Sequence, residues 1–346
     1  MSGPISAAQG PICSDCRIVF PMLEYVITFI LVLFAIIVII LCLPKSYSGQ
    51  NENHWLDDPM NKKVKNSLLL YLNTSLKPII TKNPSILPAF KQCIGNTRNR
   101  KSDLVQLRKK LLQTKLGNSN AGRNETWRSA SRTKNLEWIL NNLSNEKKET
   151  LKGPYLDIGC GDGSITASIY TNIINITDEP THPRPICLEY GDERPGFNEL
   201  VSRETDITTL KSNYFNTISA FMSLHHIPTI EAMMHDIDRI SRPGSIFVMR
   251  DHDFTYCISN FDSKRDARQF LDWVHVLYYL AESHESTDSV DWLYDMPRTD
   301  IVYQYQPMSY WDGLLKKIGF ERISNRGSKK SLICSYYAVY KKNLII

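Results

Sequence analysis

The chain has 346 residues, of which 42% are hydrophobic and 22% charged; this is enough for a buried core and excludes disorder throughout. Eight cysteines are too few for a disulfide scaffold of this length. The net charge of +5 is uneven, because residues 61–134 hold 17 Lys or Arg and only two acidic residues, a net charge of +15. This basic segment predicts an anionic partner, either lipid headgroups or RNA, with a merely solvated basic region as the alternative.

A hydrophobic run lies near the N-terminus. Residues 25–43, "YVITFILVLFAIIVIILCL", carry no charge over a length that suits a membrane-spanning helix. A cleaved signal peptide is the alternative, but the length of the run and the lack of a small-residue cleavage site favour a retained anchor. More Lys and Arg follow the run than precede it, which predicts a single-pass membrane protein with a cytoplasmic C-terminal part; a lumenal arrangement would reverse this. The C-x-x-C of Cys13 and Cys16 has no second ligand pair at zinc spacing, so no metal site is predicted.

The remaining chain divides by composition and periodicity. A tail over 1–24 precedes the run, a polar linker over 44–60 follows it, and two Leu-rich stretches make the basic segment 61–134 partly helical. From residue 135 to residue 346, strand-like runs alternate with helical segments, which predicts an α/β domain with a mostly parallel sheet. The last two strands, in "ERISNRG" and "LICSYYAVYKK", predict an antiparallel hairpin at the sheet edge.

The stretch "YLDIGCGDGSI" places a glycine-rich turn directly after the first strand of this domain. In an open parallel sheet, a ligand binds at the carboxyl ends of the strands, where the first strand turns into the first helix. Gly159, Gly161 and Gly163 allow the backbone to approach such a ligand, although glycines alone fit dinucleotide sites and ordinary tight turns alike. Asp157 lies two residues before the first glycine, where a carboxylate would repel a pyrophosphate and suits a cationic amine.

"LDIGCGDGSI" resembles the first motif of the class I S-adenosylmethionine-dependent methyltransferases. "FMSLHHIPTIEAMMHDIDRISRPGSIFVMRDHD" and "YQPMSYWDGLLKKIGFERI" resemble later elements of that family, and the likeness extends over about residues 132–342. The resemblance implies S-adenosylmethionine as methyl donor and a Rossmann-like, seven-stranded, mostly parallel sheet with an antiparallel C-terminal edge hairpin. In this chain the fold would be preceded by a transmembrane helix, and its core is similar to that of quinone- and sterol-type methyltransferases.

The resemblance also implies a role for individual residues at the cofactor site. The acid and the glycines of the first turn should surround the methionine part of the cofactor. The ribose hydroxyls should bind an acid after the second strand, either Glu189 or Asp192. Asp206 and Ile207 match the positions that bind and cover adenine, and the residues ending the fourth strand should pass beside the sulfonium. The predicted cofactor-binding residues are Asp157, Gly159, Gly161, Gly163, Glu189, Asp192, Asp206, Ile207, Ser223 and Leu224.

Candidate bases follow the fourth and fifth strands. Methyl transfer is an in-line displacement that needs a base only where the acceptor must lose a proton. Histidine suits this task near neutral pH. His252, in "RDHDF" with Asp251 beside it, is favoured over His225, in "LHHIP", because similar His pairs in the family it resembles are architectural.

An insertion over residues 255–306 separates the fifth strand from the final helix. It is rich in aromatic residues, which predicts a substrate cover and a small or lipophilic acceptor. The alternative acceptor is RNA, methylated on the cap or a base with help from the basic segment. A third possibility is a non-catalytic membrane scaffold that only retains the fold.

Overall fold

The computed structural model describes residues 54–113, 133–137, 151–174, 183–190, 197–281, 289–327 and 332–344. The chain divides into two compact units, Met1–Glu52 and Asn53–Ile346, and every described residue belongs to the second.

The predicted single-pass membrane location is corrected by the helices of this unit. In the part of the chain that the structure describes, no helix is both long enough and apolar enough to cross a bilayer. Residues 25–43, from which the prediction came, lie outside the described residues. No described helix supports the predicted single-pass membrane location or the cytoplasmic orientation that depended on it.

Seven strands form one mixed sheet. They are β1 (Tyr155–Ile158), β2 (Ile186–Leu188), β3 (Ser202–Glu204), β4 (Phe215–Phe221), β5 (Ser241–His252), β6 (Phe320–Gly327) and β7 (Ser335–Lys342). Their order is β3-β2-β1-β4-β5-β7-β6, and β7 runs antiparallel to both of its neighbours while the other pairs are parallel. This confirms the predicted Rossmann-like sheet and its antiparallel hairpin at one edge.

The main α-helices of the described residues are numbered in chain order. They are α1 (Lys62–Ser75), α2 (Lys77–Lys82), α3 (Ile86–Gly95), α4 (Arg100–Gln113), α5 (Ser164–Ile169), α6 (Ile230–Ile240), α7 (Phe254–Ser259), α8 (Lys264–Ala281), α9 (Asp291–Asp295), α10 (Arg298–Ile301) and α11 (Met308–Lys317).

The helix faces that cover the sheet are those on which apolar residues recur at helical spacing. In α6, Ile230, Met233, Met234 and Ile237 recur at helical spacing and are buried against one face of the sheet together with α11. β1 is buried along its whole length, as expected for a strand with helices on both faces.

A second core joins the basic segment to the insertion. Buried residues of α1, α3 and α4 form one apolar cluster with buried residues of α8. Tyr71 on α1 and Tyr278 on α8 share a hydrogen bond of 2.6 Å between their hydroxyls. The helices of residues 62–113 therefore belong to the same folded body as the sheet, and the domain boundaries predicted at residues 61 and 135 stay predictions.

Two arginines of the basic segment form hydrogen bonds inside this second core. Arg100 is buried and donates hydrogen bonds to the carbonyl oxygens of Leu56, Asp58 and Cys93. Arg108 is equally buried and donates to the carbonyl oxygen of Leu280 at 3.4 Å. Part of the segment's charge thus stabilises the fold and is unavailable to a partner.

Candidate functional site

The glycine-rich turn after β1 adopts backbone conformations that suit glycine. Gly159, Gly161 and Gly163 have φ of +70°, +68° and +75°. A Cβ on Gly159 would lie 2.3 Å from the Cβ of Ser223, so no larger residue fits there without displacing the end of β4. The Gly161 N–H donates a hydrogen bond of 2.8 Å to Oε2 of Glu189, which follows β2.

Asp157 lies beneath this turn and not on its open side. Its carboxylate is buried and accepts hydrogen bonds of 2.6 Å from the hydroxyls of both Thr166, on α5, and Ser219, on β4. Asp157 is not among the residues that line the neighbouring cavity. It therefore fixes the turn to α5 and β4.

A cavity of about 1170 Å³ opens at the carboxyl ends of the parallel strands. Because β1 lies between β2 and β4, the segments that follow all three strands meet at this end. The cavity wall near the turn is formed by Gly159, Gly161, Glu189, Ile207, Met222 and Ser223. The opposite wall includes Tyr71 from α1, His252 after β5, and Val274, His275, Tyr278 and Tyr279 from α8.

Met222 is a member of the near wall with an unusual backbone. Its φ is +60°, which is uncommon for a residue with a side chain, and its N–H donates to the carbonyl oxygen of Arg250 at 2.7 Å. Such backbone strain is typical of functional sites, because the surrounding structure must enforce it.

Besides Asp157, four predicted cofactor residues either do not line the cavity or lie outside the described residues: Gly163, Asp206, Leu224 and Asp192. Asp206 is exposed and caps a short 3-10 turn, accepting hydrogen bonds from the Thr208 N–H at 2.8 Å and hydroxyl at 2.7 Å, which lower the pKa of its carboxyl. Its neighbour Ile207 does line the cavity. Leu224 is buried without lining it. Asp192 lies outside the described residues.

The candidate bases form a buried cluster at the far wall. Nδ1 of His225 is 2.6 Å from Oδ1 of Asp251, and Nε2 of His225 is 3.2 Å from Nε2 of His275. His252 places Nδ1 2.7 Å from the carbonyl oxygen of Ile333, and its buried Nε2 has no hydrogen-bond partner among the described residues. His252 and His275 line the cavity, whereas His225 lies behind them.

Burial governs the protonation of this cluster. It lowers the pKa of His225, His252 and His275, so the neutral imidazole is favoured at each. Burial also raises the pKa of Asp251 to about 6.

His275 and Tyr305 are site residues that the sequence reasoning missed. His275 lies in the middle of "FLDWVHVLYYL", three residues after Asp272, and both are buried. The Tyr305 hydroxyl donates to Oδ1 of Asp272 at 3.1 Å and lies 3.3 Å from Nδ1 of His275. A pair of polar residues three apart in an apolar helix was the available signal, since such positions share one face.

Comparison with known proteins agrees with this geometry. The family model described as "Methyltransferase domain" matches residues 127–325. Fold, site and family together define a class I, Rossmann-like methyltransferase. The chain belongs to the methyltransferase domain family; it is an enzyme, and its cofactor is S-adenosylmethionine.

A sterol 4-C-methyltransferase of Caenorhabditis elegans, strm-1, is 26% identical over 130 residues, which are 36% of this chain and 37% of that protein. The match thus spans little more than a third of that relative. Among solved structures, the CurJ carbon methyltransferase is 17% identical, with a TM-score of 0.41, covering 81% of this chain and 70% of that one. The 1,6-didemethyltoxoflavin-N1-methyltransferase of Burkholderia thailandensis, solved with S-adenosylhomocysteine, is 13% identical, with a TM-score of 0.34, covering 57% and 77%.

The residues present fit S-adenosylmethionine. Gly159 and Gly161 line the cavity and, having no side chain, leave the backbone of the turn open to it. Glu189 offers a carboxylate at the end of β2, and Ile207 offers an apolar wall.

Proposed function

We propose that the protein transfers the methyl group of S-adenosylmethionine to a small, largely apolar acceptor bound at the far wall of the cavity. The cavity itself carries this proposal. Its volume of about 1170 Å³ exceeds that of many single-ligand pockets and has room for the cofactor and a small acceptor side by side. The far wall combines the aromatic residues Tyr71, Tyr278 and Tyr279 with the polar groups of His252 and His275, which suits an apolar molecule that carries one polar atom.

The near wall is the proposed cofactor site. The backbone of Gly159 and Gly161 would lie against the methionine part, and Glu189 would accept hydrogen bonds from the ribose hydroxyls. Ile207 would cover the adenine, with Ser223 beside the sulfonium. Asp157 would act as a positioning residue for the turn, because hydroxyl groups of the protein occupy its carboxylate.

Methyl transfer mainly requires that the protein align the acceptor with the methyl donor. When bound, the cofactor supplies an electrophilic methyl group. The cavity walls orient the acceptor and exclude water, which brings the reacting atoms together. His252 and His275 line the cavity where the acceptor would lie, while Asp251 would hold His225 in place behind them.

RNA is the less favoured acceptor. Arg100 and Arg108 act inside the fold, so the charge of residues 61–134 is weaker support for a nucleic-acid partner than it was in the sequence. The cavity is also walled by α1 of that same segment, which limits the space for a polymer. The anionic partner of the basic segment, lipid or RNA, stays a prediction.

A labelling experiment tests the acceptor class. The full-length protein is incubated with methyl-labelled S-adenosylmethionine and separate pools of small molecules, RNA and protein. We expect label in the small-molecule pool, extractable into organic solvent. Label confined to RNA or protein would overturn the proposal, and cofactor binding measured in parallel by calorimetry shows that the protein is folded.

A further inference from the structure

The three buried histidines of the cluster all direct the same ring nitrogen towards one another. Nδ1 of His252 faces the carbonyl oxygen of Ile333, and Nδ1 of His275 faces the carbonyl oxygen of Leu271 at 2.8 Å. A carbonyl oxygen only accepts hydrogen bonds, so Nδ1 of both rings carries the proton. In a neutral imidazole, Nε2 then has a lone pair and no hydrogen.

His225 is held in the same tautomer by a carboxylate. Oδ1 of Asp251 accepts a hydrogen bond of 2.7 Å from the backbone N–H of His252 and lies 2.6 Å from Nδ1 of His225. When Asp251 is ionised, Oδ1 accepts from the backbone N–H of His252 and also from Nδ1 of His225. All three Nε2 atoms are therefore available as electron-pair donors.

In these tautomers, two of the lone pairs lie close together. Nε2 of His225 and Nε2 of His275 are 3.2 Å apart, and two unprotonated nitrogens at that distance repel each other. Tetrahedral zinc bound to imidazoles at about 2.0–2.1 Å places its ligand nitrogens about 3.3–3.4 Å apart. The observed separation is close to that of two ligands of one ion.

The third histidine completes a set of ligands. One ligand nitrogen from each of His225, His252 and His275 lies within 4.8 Å of the others, so His252 needs to move by roughly 1.5 Å at most to reach zinc geometry. Its Nε2 is buried and has no hydrogen-bond partner among the described residues. A buried nitrogen without a partner is costly, and a cation removes that cost.

The surroundings of the cluster match those of known metal centres in general terms. Metal-bound histidines usually donate their second N–H to a carboxylate or a backbone carbonyl, which fixes the ring and strengthens the ligand. Here Asp251, Ile333 and Leu271 accept from the three rings.

We propose that His225, His252 and His275 bind one divalent transition-metal ion, with Zn²⁺ as the preferred ion. Imidazole ligands suit zinc, and three protein ligands leave a fourth position open. His252 and His275 line the cavity, so this fourth position faces the acceptor end, where a water molecule or the acceptor's polar atom occupies it. The link to the acceptor rests on the proposed function, whereas metal binding itself does not. The proposed metal site differs from the sequence analysis, which predicted none.

A single proton shared between His225 and His275 is the competing explanation. In this arrangement a protonated Asp251 donates to Nδ1 of His225, and Nε2 of His225 donates to Nε2 of His275. Metal titration separates the two explanations, because a shared proton leaves no affinity for an ion.

The test uses the full-length protein, stripped of metal with a chelator and titrated with Zn²⁺ or Co²⁺. We expect one equivalent of either ion to bind, and Co²⁺ to give the intense visible absorption of a tetrahedral site. His275→Ala and His252→Ala should each abolish stoichiometric binding. Asp251→Asn should keep the ligands and weaken the affinity by about 10- to 100-fold.

Two controls make the result specific. His235→Ala removes an exposed histidine of α6 and should leave the metal content at one equivalent. Cys13→Ser combined with Cys16→Ser removes the other candidate ligand pair and should also leave it unchanged. Retention of metal by His275→Ala, or loss of it in the cysteine variant, would overturn the proposal.

Cofactor binding, measured on every variant, distinguishes a folded protein from a misfolded one. Wild-type protein that binds S-adenosylmethionine and transfers methyl groups but binds no metal would contradict the metal site and leave the proposed function intact. Protein that binds one Zn²⁺ but labels only RNA would support the metal site and contradict the proposed acceptor.

Discussion

Asp157 and Asp206 have in common that hydrogen bonds within the protein occupy their carboxylates. Asp157 holds two hydroxyl groups beneath the glycine turn, and Asp206 caps a short turn at the surface. Glu189 also accepts a hydrogen bond, from the Gly161 N–H, but unlike Asp157 and Asp206 it lines the cavity. At the scale of single residues, the acid most suited to contact the cofactor is thus the one after β2.

The role of Glu189 can be tested by removing its charge alone. Glu189→Gln should weaken S-adenosylmethionine binding by about 10- to 100-fold, because a hydrogen bond to a charged group contributes about 1.5–3 kcal/mol. Calorimetric titration measures the dissociation constant. Glu199→Gln, at an exposed position that does not line the cavity, is the matched control and should bind as wild type. Equal affinities for both variants would contradict the ribose assignment.

Gly159 gives a second prediction at this scale. Gly159→Ala should destabilise the fold and abolish measurable cofactor binding, because the added Cβ meets Ser223 and the left-handed backbone alone costs about 1–2 kcal/mol. Thermal unfolding with and without cofactor measures both effects. Gly313→Ala is the control: this helical glycine has open space around its Cβ position, so alanine should stabilise by about 0.5–1 kcal/mol. A stable Gly159→Ala protein that binds cofactor would refute this reasoning.

Among the helices, α1 connects the basic segment to the cavity. It begins after Asn61, whose side-chain oxygen accepts a hydrogen bond of 2.9 Å from the Val64 N–H. Its buried face, with Leu68 and Tyr71, packs on α8, while lysines occupy exposed positions of the same helix. The Leu-rich pattern predicted a helix here, but nothing local indicated which other element it would cover.

The packing of α1 is tested by two leucines on the same helix. Leu68 is fully buried and Leu70 is 50% exposed. Leu68→Ala should therefore lower the free energy of unfolding by about 2–5 kcal/mol. Leu70→Ala should change it by no more than about 0.5 kcal/mol. Chemical denaturation followed by tryptophan fluorescence measures both, and similar losses in the two variants would mean that α1 does not pack as described.

At the scale of the whole molecule, one folded body extends from the basic segment to the last strand. The apolar cluster shared by α1, α3, α4 and α8 joins the helices of residues 62–113 to the insertion after β5. Both of these regions supply walls of the cavity whose other wall is the glycine turn. Stability of the helices and occupancy of the cofactor site are therefore expected to be coupled.

This coupling predicts how the protein melts. S-adenosylmethionine at 100 times its dissociation constant should stabilise the folded state by about 2.7 kcal/mol. If the helices and the sheet unfold together, scanning calorimetry should show one main transition for this body, and the cofactor should move all of it to higher temperature. A separate transition whose temperature the cofactor does not change would show that residues 62–113 unfold independently.

The sequence by itself determined the class of the protein. Alternating strands and helices predicted the sheet and its edge hairpin, and the glycine turn with the stretches around β4 and β5 identified the methyl donor. These features are local, since strand period, turn chemistry and motif spacing are all read within a few tens of residues. The turn glycines follow from the turn itself, whereas Glu189, Ile207 and Ser223 were predicted from the resemblance to the family; these three residues line the cavity.

Only the tertiary structure decided which side chains meet. His225, His252 and His275 come from three separate elements and form one cluster because β4, β5 and α8 converge at the end of the cavity. Neither a motif nor a fixed spacing connects them in the chain. The same holds for Asp157 and Asp206, whose partners occupy their carboxylates, since the hydrogen bonds of a side chain depend on the groups that folding brings next to it.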